Sequence, residues 1–164
     1  MDKLLALDVG KARIGVATGD PLGITVRPVA VVRRTSNRKD FARLVQLVQE
    51  MEATAILCGL PLNMDGSEGE QAQWTRKWAL KLAHALRASL GKSVPVIFWD
   101  ERLSTFAAQE FLADAGAAGD DDAVAAAVIL RSYLSARKRG DVADWGRIEL
   151  AGEGRSDCTA RRMT

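Results

Sequence analysis

The chain has 164 residues, of which 48% are hydrophobic and 27% are charged, and its net charge is +2. This composition is typical of a globular protein, and at this length one domain buries roughly 70% of the surface that its unfolded chain exposes. The small net charge does not identify a nucleic-acid-binding protein by itself. The two distant cysteines exclude a disulfide framework, and no apolar run is long enough to span a membrane, so we expect a cytoplasmic protein with no membrane partner.

The first predicted strand carries one acid in an apolar setting. Residues 4–7 and Val9 form an apolar run typical of a strand that is buried on both faces, and Asp8 interrupts this run. Burying an ionised carboxylate is costly unless a cation or a hydrogen-bond donor meets it. Asp8 therefore needs a partner, and a metal ion, a nucleotide or a basic side chain would each serve.

A glycine turn follows this acid and leads into a second strand. Gly10 opens a turn that holds Lys11 and Arg13. Gly15 and other small residues then alternate with branched residues, which predicts a hairpin whose second strand returns beside the first. The small residues allow another backbone or a large ligand to approach the sheet closely.

The middle of the chain alternates strands and helices. We predict a strand over residues 28–32, a strand over 55–58, a helix over 71–90 and a strand over 94–99. Between the first two strands we predict a helix with Ser36 or Asn37 as its N-cap and with apolar residues recurring from Phe41 to Met51. The strand over 55–58 should run parallel to the first strand, because a helix crosses between them. The connection over residues 60–70 is long for a strand-to-helix loop and indicates a lid or a binding loop, with simple decoration as the alternative.

Acids recur after the last of these strands. That strand ends directly on Asp100 and Glu101, and Asp122 belongs to a run of three aspartates that opens the final helix. One aspartate is ordinary helix capping, but three exceed what a cap requires. A short helix is predicted between these two groups, over residues 106–112.

The element order predicts an α/β fold with a five-stranded mixed sheet, antiparallel over its first three strands and parallel afterwards, and flanked by helices. This domain covers residues 1–139, and residues 140–164 form a C-terminal tail that we expect to be disordered or loosely docked. The glycines match neither a P-loop nor a GxGxxG motif. His84 lies on the polar face of its helix, which discourages a mechanism built on a Ser/His or Cys/His pair.

Ligands of open α/β sheets bind beyond the carboxyl ends of the parallel strands, where Asp8 and Glu101 are expected. Asp122 completes a three-carboxylate cluster if the final helix begins at the same edge. Clustered carboxylates repel one another, and a bound Mg²⁺ or Mn²⁺ ion usually neutralises their charge because both ions take oxygen ligands. Each acid also has an ordinary alternative, since Asp8 could pair with Arg13, Glu101 could pair with Arg102, and Asp122 could cap its helix.

Four stretches, ALDVGKARIGVATGD, CGLPLNMDGSEG, DERLST and DDAVAAAVILRSYL, resemble in that order the bacterial YqgF (RuvX) family of pre-16S rRNA nucleases and Holliday-junction-resolvase-like proteins. The resemblance covers about residues 4–137 and implies an RNase H-like fold. It also implies that Asp8, Glu101 and Asp122 occupy the acidic metal-binding positions of that family. Before Asp122 this chain has AGAAGDD, where relatives often have a basic stretch.

The same resemblance implies how nucleic acid would be held. Lys11, Arg13 and Arg102 would lie where phosphate contacts are expected, and the loop at Asn63 would border the site. Asp100 would lie beside the metal ligands.

We therefore predict a metal-dependent endonuclease that acts on structured RNA, at the 5′ end of pre-16S rRNA, as a monomer or weak homodimer. One alternative is a Holliday-junction-type resolvase that cuts branched DNA with the same site. A second is a noncatalytic nucleic-acid-binding module. A third is an ATP-binding relative of actin and the sugar kinases, which share a DxG hairpin but need two such domains.

Overall fold

A computed structural model of the protein describes residues 3–20, 25–104, 121–140, 145–150 and 161–163. Its first half contains strands β1 (Leu4–Val9), β2 (Arg13–Gly19) and β3 (Val26–Arg33), helix α1 (Asn37–Glu50), strand β4 (Ala55–Leu60) and helix α2 (Glu70–Leu90). Its second half contains strand β5 (Val96–Asp100), a 3-10 turn (Glu101–Ser104), helix α3 (Asp121–Lys138), and strands β6 (Arg147–Glu149) and β7 (Arg161–Met163). The helix predicted over residues 106–112 lies outside the described residues. Within the described ranges, no helix is both long and apolar enough to cross a membrane.

The seven strands in the described part of the chain belong to one sheet, in the order β3-β2-β1-β4-β5-β6-β7. Strand β2 pairs antiparallel with both β1 and β3, whereas β4 pairs parallel with both β1 and β5. This arrangement confirms the predicted mixed sheet over the first five strands. The sheet is nevertheless wider than predicted, because β6 pairs antiparallel with β5, and β7 pairs antiparallel with β6.

The segment after α3 differs from the predicted tail. Ile148 of β6 pairs with Val96 of β5, and both Ile148 and Leu150 are buried in the core. The guanidinium of Arg76 on α2 donates a hydrogen bond to the carbonyl oxygen of Trp145 at 2.9 Å, which fixes the start of this segment. Strands of three residues are too short to produce a hydrophobic period, so β6 and β7 could not be predicted from such a period.

Helices cover both faces of the sheet. Leu5 and Leu7 of β1 join the larger core with α1 and α2, whereas Leu4 and Ala6 join the smaller core with α3. Successive side chains of a strand point to opposite faces. Asp8 therefore continues the series that faces α3.

Gly15 determines how closely α3 approaches the sheet. It is the cross-strand partner of Asp8 in β2. A Cβ atom at Gly15 would lie 1.8 Å from the carbonyl oxygen of Asp122, so the first turn of α3 rests directly on this glycine. The contact between two backbones places Asp122 next to the strand pair that carries Asp8.

Replacing Gly15 should separate α3 from the sheet. We expect Gly15→Ala to lower the free energy of unfolding by about 1–3 kcal/mol, because the added methyl group overlaps backbone atoms that cannot move without shifting the helix. Urea denaturation measures this loss. Ser89→Ala, an exposed change on α2, is the control and should stay within about 0.5 kcal/mol of the wild type. Equal stability of Gly15→Ala and the wild type would contradict the close approach.

Candidate active site

The side chains of Asp8 and Glu101 approach each other at the carboxyl ends of the parallel strands. Asp8 lies near the carboxyl end of β1, Glu101 follows β5 directly, and β4 lies between these two strands. Strand β4 contributes Gly59 at this level, where a Cβ atom would lie 2.7 Å from Oε1 of Glu101. The missing side chain of Gly59 leaves the space in which Glu101 reaches over β4 toward Asp8.

The two carboxyl groups share a hydrogen bond. Burial, the negative charge of Asp8 and this hydrogen bond raise the pKa of Glu101 to about 8. Burial also raises the pKa of Asp8, the hydrogen bond with Glu101 opposes that rise, and the charge of Asp122 adds to it. At neutral pH the pair therefore holds one proton, which sits on Glu101.

Asp122 has a different partner. Its Oδ2 atom lies 2.8 Å from Nε of Arg13, and the side chain of Arg13 is 58% exposed. Asp122 is still close enough to Asp8 for its charge to raise the pKa of that group. Among the described residues, no three metal-ligating side chains are arranged closely enough to hold one ion. The structure thus brings Asp8 and Glu101 together as a partly buried carboxyl pair, with Asp122 beside this pair and turned toward Arg13.

The chemistry of this donor set suits a hard divalent cation. Three carboxylates supply oxygen ligands, which Mg²⁺ and Mn²⁺ prefer. Without such an ion, the proton on Glu101 and the guanidinium of Arg13 neutralise two of the three negative charges. A divalent cation would replace both of them.

Cys58 lies in β4 immediately before Gly59 and is fully buried. Burial and the nearby charges of Glu101 and Asp8 raise the pKa of its thiol. A thiol that keeps its proton is a poor nucleophile. Cys58 is therefore part of the packing beneath the acids.

Arg102 makes several hydrogen bonds within the protein, and its contact with a phosphate stays a prediction. Its Nε and Nη2 atoms donate to the two carboxylate oxygens of Asp100 at 3.1 and 2.9 Å. Its Nη1 atom donates to the carbonyl oxygens of Asn63 and Met64 at 3.1 and 3.0 Å. Asp100 is only 1% exposed. Arg102 thus balances a buried charge and ties the end of β5 to the loop over residues 61–69.

Hydrogen bonds also order this loop from within. The backbone nitrogen and Oγ of Ser67 donate to Oδ1 of Asp65 at 2.9 and 2.6 Å. The side-chain amide of Asn63 donates to Oγ of Ser67 at 3.0 Å, so Asn63 supports the turn itself. Glu68 pairs with Arg76 of α2. The loop therefore forms a fixed border beside the end of β5.

Lys11 is the predicted phosphate contact that stays available. It is exposed in the turn after β1 and has no ion-pair partner among the described residues. Arg13 lies at the start of β2, with more than half of its side chain exposed. These two cations flank the acids on the side of the hairpin.

Known proteins match the chain over most of its length. Residues 2–136 match a family described as "RuvX: Holliday junction resolvase". A "Putative pre-16S rRNA nuclease" of Anaeromyxobacter sp. (strain Fw109-5) is 44% identical over 140 residues, which are 82% of this chain and 98% of the relative. The protein of the same name from Myxococcus xanthus (strain DK1622) is 43% identical over 144 residues, which are 85% and 91% of the two chains. The resemblance carried by the four sequence motifs is confirmed.

The fold also has solved counterparts. The structure titled "T. thermophilus RuvC in complex with Holliday junction substrate" superposes with a TM-score of 0.62 at 15% identity and covers 86% of this chain and 98% of that one. The "Thermus thermophilus RuvC structure" gives a TM-score of 0.59 at 13% identity, with 85% and 97% covered. At these identities the likeness concerns the fold, and it confirms the RNase H-like architecture.

The raised pKa of Glu101 makes the stability of the metal-free protein depend on pH. The folded carboxyl group keeps its proton up to about pH 8, whereas the unfolded one loses it near pH ~4.3. Between these values the folded state binds more protons, so stability is largest below this window and declines as the pH rises through it. We expect the melting temperature in EDTA to fall from about pH 5 to about pH 8, and Glu101→Gln to flatten this slope.

The control for this experiment is Glu50→Gln, an exposed carboxylate on α1. It should keep the slope of the wild type, because its surroundings do not include the carboxyl pair. Mg²⁺ should raise the melting temperature more at the upper end of the pH window than at the lower end. A wild-type melting temperature that rises with pH across the window would contradict the shared proton.

The contacts of Arg102 predict that it holds the loop. Arg102→Ala leaves the buried Asp100 without its cation, and we expect the variant to unfold at a lower urea concentration than the wild type. The same variant should be cleaved faster by proteases within residues 61–69. Adding Asp100→Asn should recover part of the stability, since no charge then stays buried. Arg38→Ala, an exposed change on α1, is the control. Wild-type stability and loop protection in Arg102→Ala would count against this role.

Proposed function

This chain belongs to the RuvX family, and from this premise we propose that it is a metal-dependent endonuclease that processes the 5′ end of pre-16S rRNA during ribosome biogenesis. Its class of activity is that of a hydrolase acting on phosphodiester bonds, in keeping with relatives that carry the name "Putative pre-16S rRNA nuclease". The observation that supports the site is the partly buried carboxyl pair of Asp8 and Glu101 with Asp122 beside it. A protein with this role would act in the cytoplasm.

In the proposed site, Asp8, Glu101 and Asp122 would hold Mg²⁺ or Mn²⁺ through carboxylate oxygens. Such an ion would supply activation of water and stabilisation of the leaving oxygen of a phosphodiester. To serve as ligands, Glu101 would give up its proton and Asp122 would give up its contact with Arg13. Arg13 would then join Lys11 in contacting the phosphates of the substrate.

No covalent intermediate is needed in this scheme. Cys58 is a buried, protonated thiol. His84 lies exposed on α2. Neither is placed beside the acids as an activated nucleophile, so water is the attacking group.

Cleavage of branched DNA is the second candidate, because the family description is that of a Holliday junction resolvase. Resolution requires paired cuts and therefore two sites in a symmetric dimer. Trimming of an RNA end requires one site. A monomer or weak homodimer suits the RNA substrate better.

The test compares cleavage of a pre-16S 5′-leader RNA and a four-way DNA junction, each with Mg²⁺ and with Mn²⁺. We expect the wild type to cut the RNA, and Asp8→Asn to cut it at least ~100-fold more slowly while remaining folded, because a ligand of the metal is lost. Glu50→Gln is the control and should cut at the wild-type rate.

Other results of this cleavage test would favour an alternative function or contradict the role of the acids. Cleavage of the junction alone, in paired cuts by a dimer, would favour the DNA resolvase. Binding of both substrates with cleavage of neither would favour a noncatalytic module. An Asp8→Asn variant as active as the wild type would remove the acids from the mechanism.

A further inference from the structure

Trp74 on α2 is a large aromatic side chain left in contact with solvent. It is 40% exposed, whereas Trp78 of the same helix and Trp99 of β5 are almost completely buried. The tryptophan side chain has a large apolar surface and is therefore usually buried in a folded protein. An exposed indole that is also fixed in position is suited to binding another flat or apolar group.

Arg34 fixes this ring. Its Cζ atom lies 4.9 Å from the centre of the Trp74 ring, within the range of a cation–π contact. Arg34 is itself held, since it donates to the carbonyl oxygen of Gly10 and to Oδ1 of Asn37, each at 3.3 Å. It also pairs with the buried carboxylate of Asp40 at 3.6 Å. The indole is thus preorganised, and ordering it costs little on binding.

Trp74 lines a cavity of about 680 Å³ whose other walls are formed by Lys11, Arg34, Glu70 and Gln71. This volume lies within the usual range for small-ligand sites, so it can accept one nucleotide. Lys11 offers an ammonium group to a phosphate. Glu70 accepts hydrogen bonds from exocyclic amines, and Gln71 both donates and accepts.

The cavity adjoins the proposed active site through the turn after β1. Lys11 lies three residues beyond Asp8, and the carbonyl oxygen of Gly10 accepts the hydrogen bond from Arg34. Lys11 therefore belongs both to the turn beside the acids and to the wall of the cavity that Trp74 lines. A cation, hydrogen-bonding groups and an aromatic ring in one cavity match the phosphate, base edge and base face of a nucleotide.

We propose that this cavity is a subsite for one unpaired nucleotide next to the cleaved phosphate, with Trp74 stacking on its base. The inference rests on the proposed function and deepens it, since it selects RNA with a single-stranded segment at the cleavage point. A base inside a duplex is already stacked on its neighbours and does not reach the indole.

The test follows tryptophan fluorescence while a single-stranded RNA of the pre-16S 5′ leader, or a blunt duplex of the same sequence, is added with Ca²⁺ in place of Mg²⁺. We expect quenching by the single strand and not by the duplex. Trp74→Ala should abolish the quenching and weaken single-strand binding roughly 5- to 100-fold, as expected for the loss of one stacked base. Binding of the variants is measured by fluorescence anisotropy of labelled RNA.

Two further variants separate stacking from a general apolar contact. Trp74→Phe keeps an aromatic face and should retain most of the affinity, whereas Trp74→Leu should bind as weakly as Trp74→Ala. His84→Ala, exposed on the same helix, is the control and should bind like the wild type. Circular dichroism verifies that each variant is folded.

Three results would overturn the inference. The first is unchanged RNA binding by Trp74→Ala, and the second is equal binding of single strand and duplex. The third is equal binding by Trp74→Leu and Trp74→Phe, because that result would indicate an apolar surface for a protein partner. If the wild type cleaves the leader RNA while Trp74→Ala binds normally, the subsite is wrong and the nuclease stands. If the wild type neither binds nor cleaves RNA, both proposals fail.

Discussion

Two partly buried carboxyl groups that share a hydrogen bond, those of Asp8 and Glu101, are the constraint around which the site is built. Burial and mutual repulsion oppose two negative charges at this position, so one group keeps its proton. Asp122 adds a third acid and is balanced by Arg13. In the folded protein, the proton on Glu101 and the guanidinium of Arg13 therefore reduce the negative charge of these acids. A divalent cation can replace both of them.

Two glycines make this arrangement of the acids possible, because they have no side chain. Gly15 lets the first turn of α3 rest on β2, and Gly59 lets Glu101 pass over β4. Both glycines lie on the face of the sheet that α3 covers, where small residues such as Ala6 and Ala17 also allow close packing. The fold thus positions the acids by removing volume around them, while the larger apolar residues stabilise the opposite face.

The sequence allowed the first five strands, the helices flanking them and the edge that carries Asp8 to be predicted, because long elements have a clear hydrophobic period and the acid interrupts an apolar run. The sequence did not reveal β6 and β7, because a strand of three residues is too short to show a hydrophobic period. The function of Gly59 could have been suspected, since a glycine within a buried strand indicates a close approach. The contacts of Arg102 with the loop and of Trp74 with Arg34 could not be foreseen, because these partners are distant in the sequence.

The most direct test of the central claim is the number of protons released when Mn²⁺ binds, measured by calorimetry at pH ~7 in two buffers of different ionisation enthalpy. Because burial and Asp8 raise the pKa of Glu101 to about 8, the wild type should release close to one proton per bound ion, and Glu101→Gln should release close to none. Binding heats that are independent of the buffer, or a wild type that does not bind Mn²⁺, would contradict a metal site built on the shared proton of these two acids.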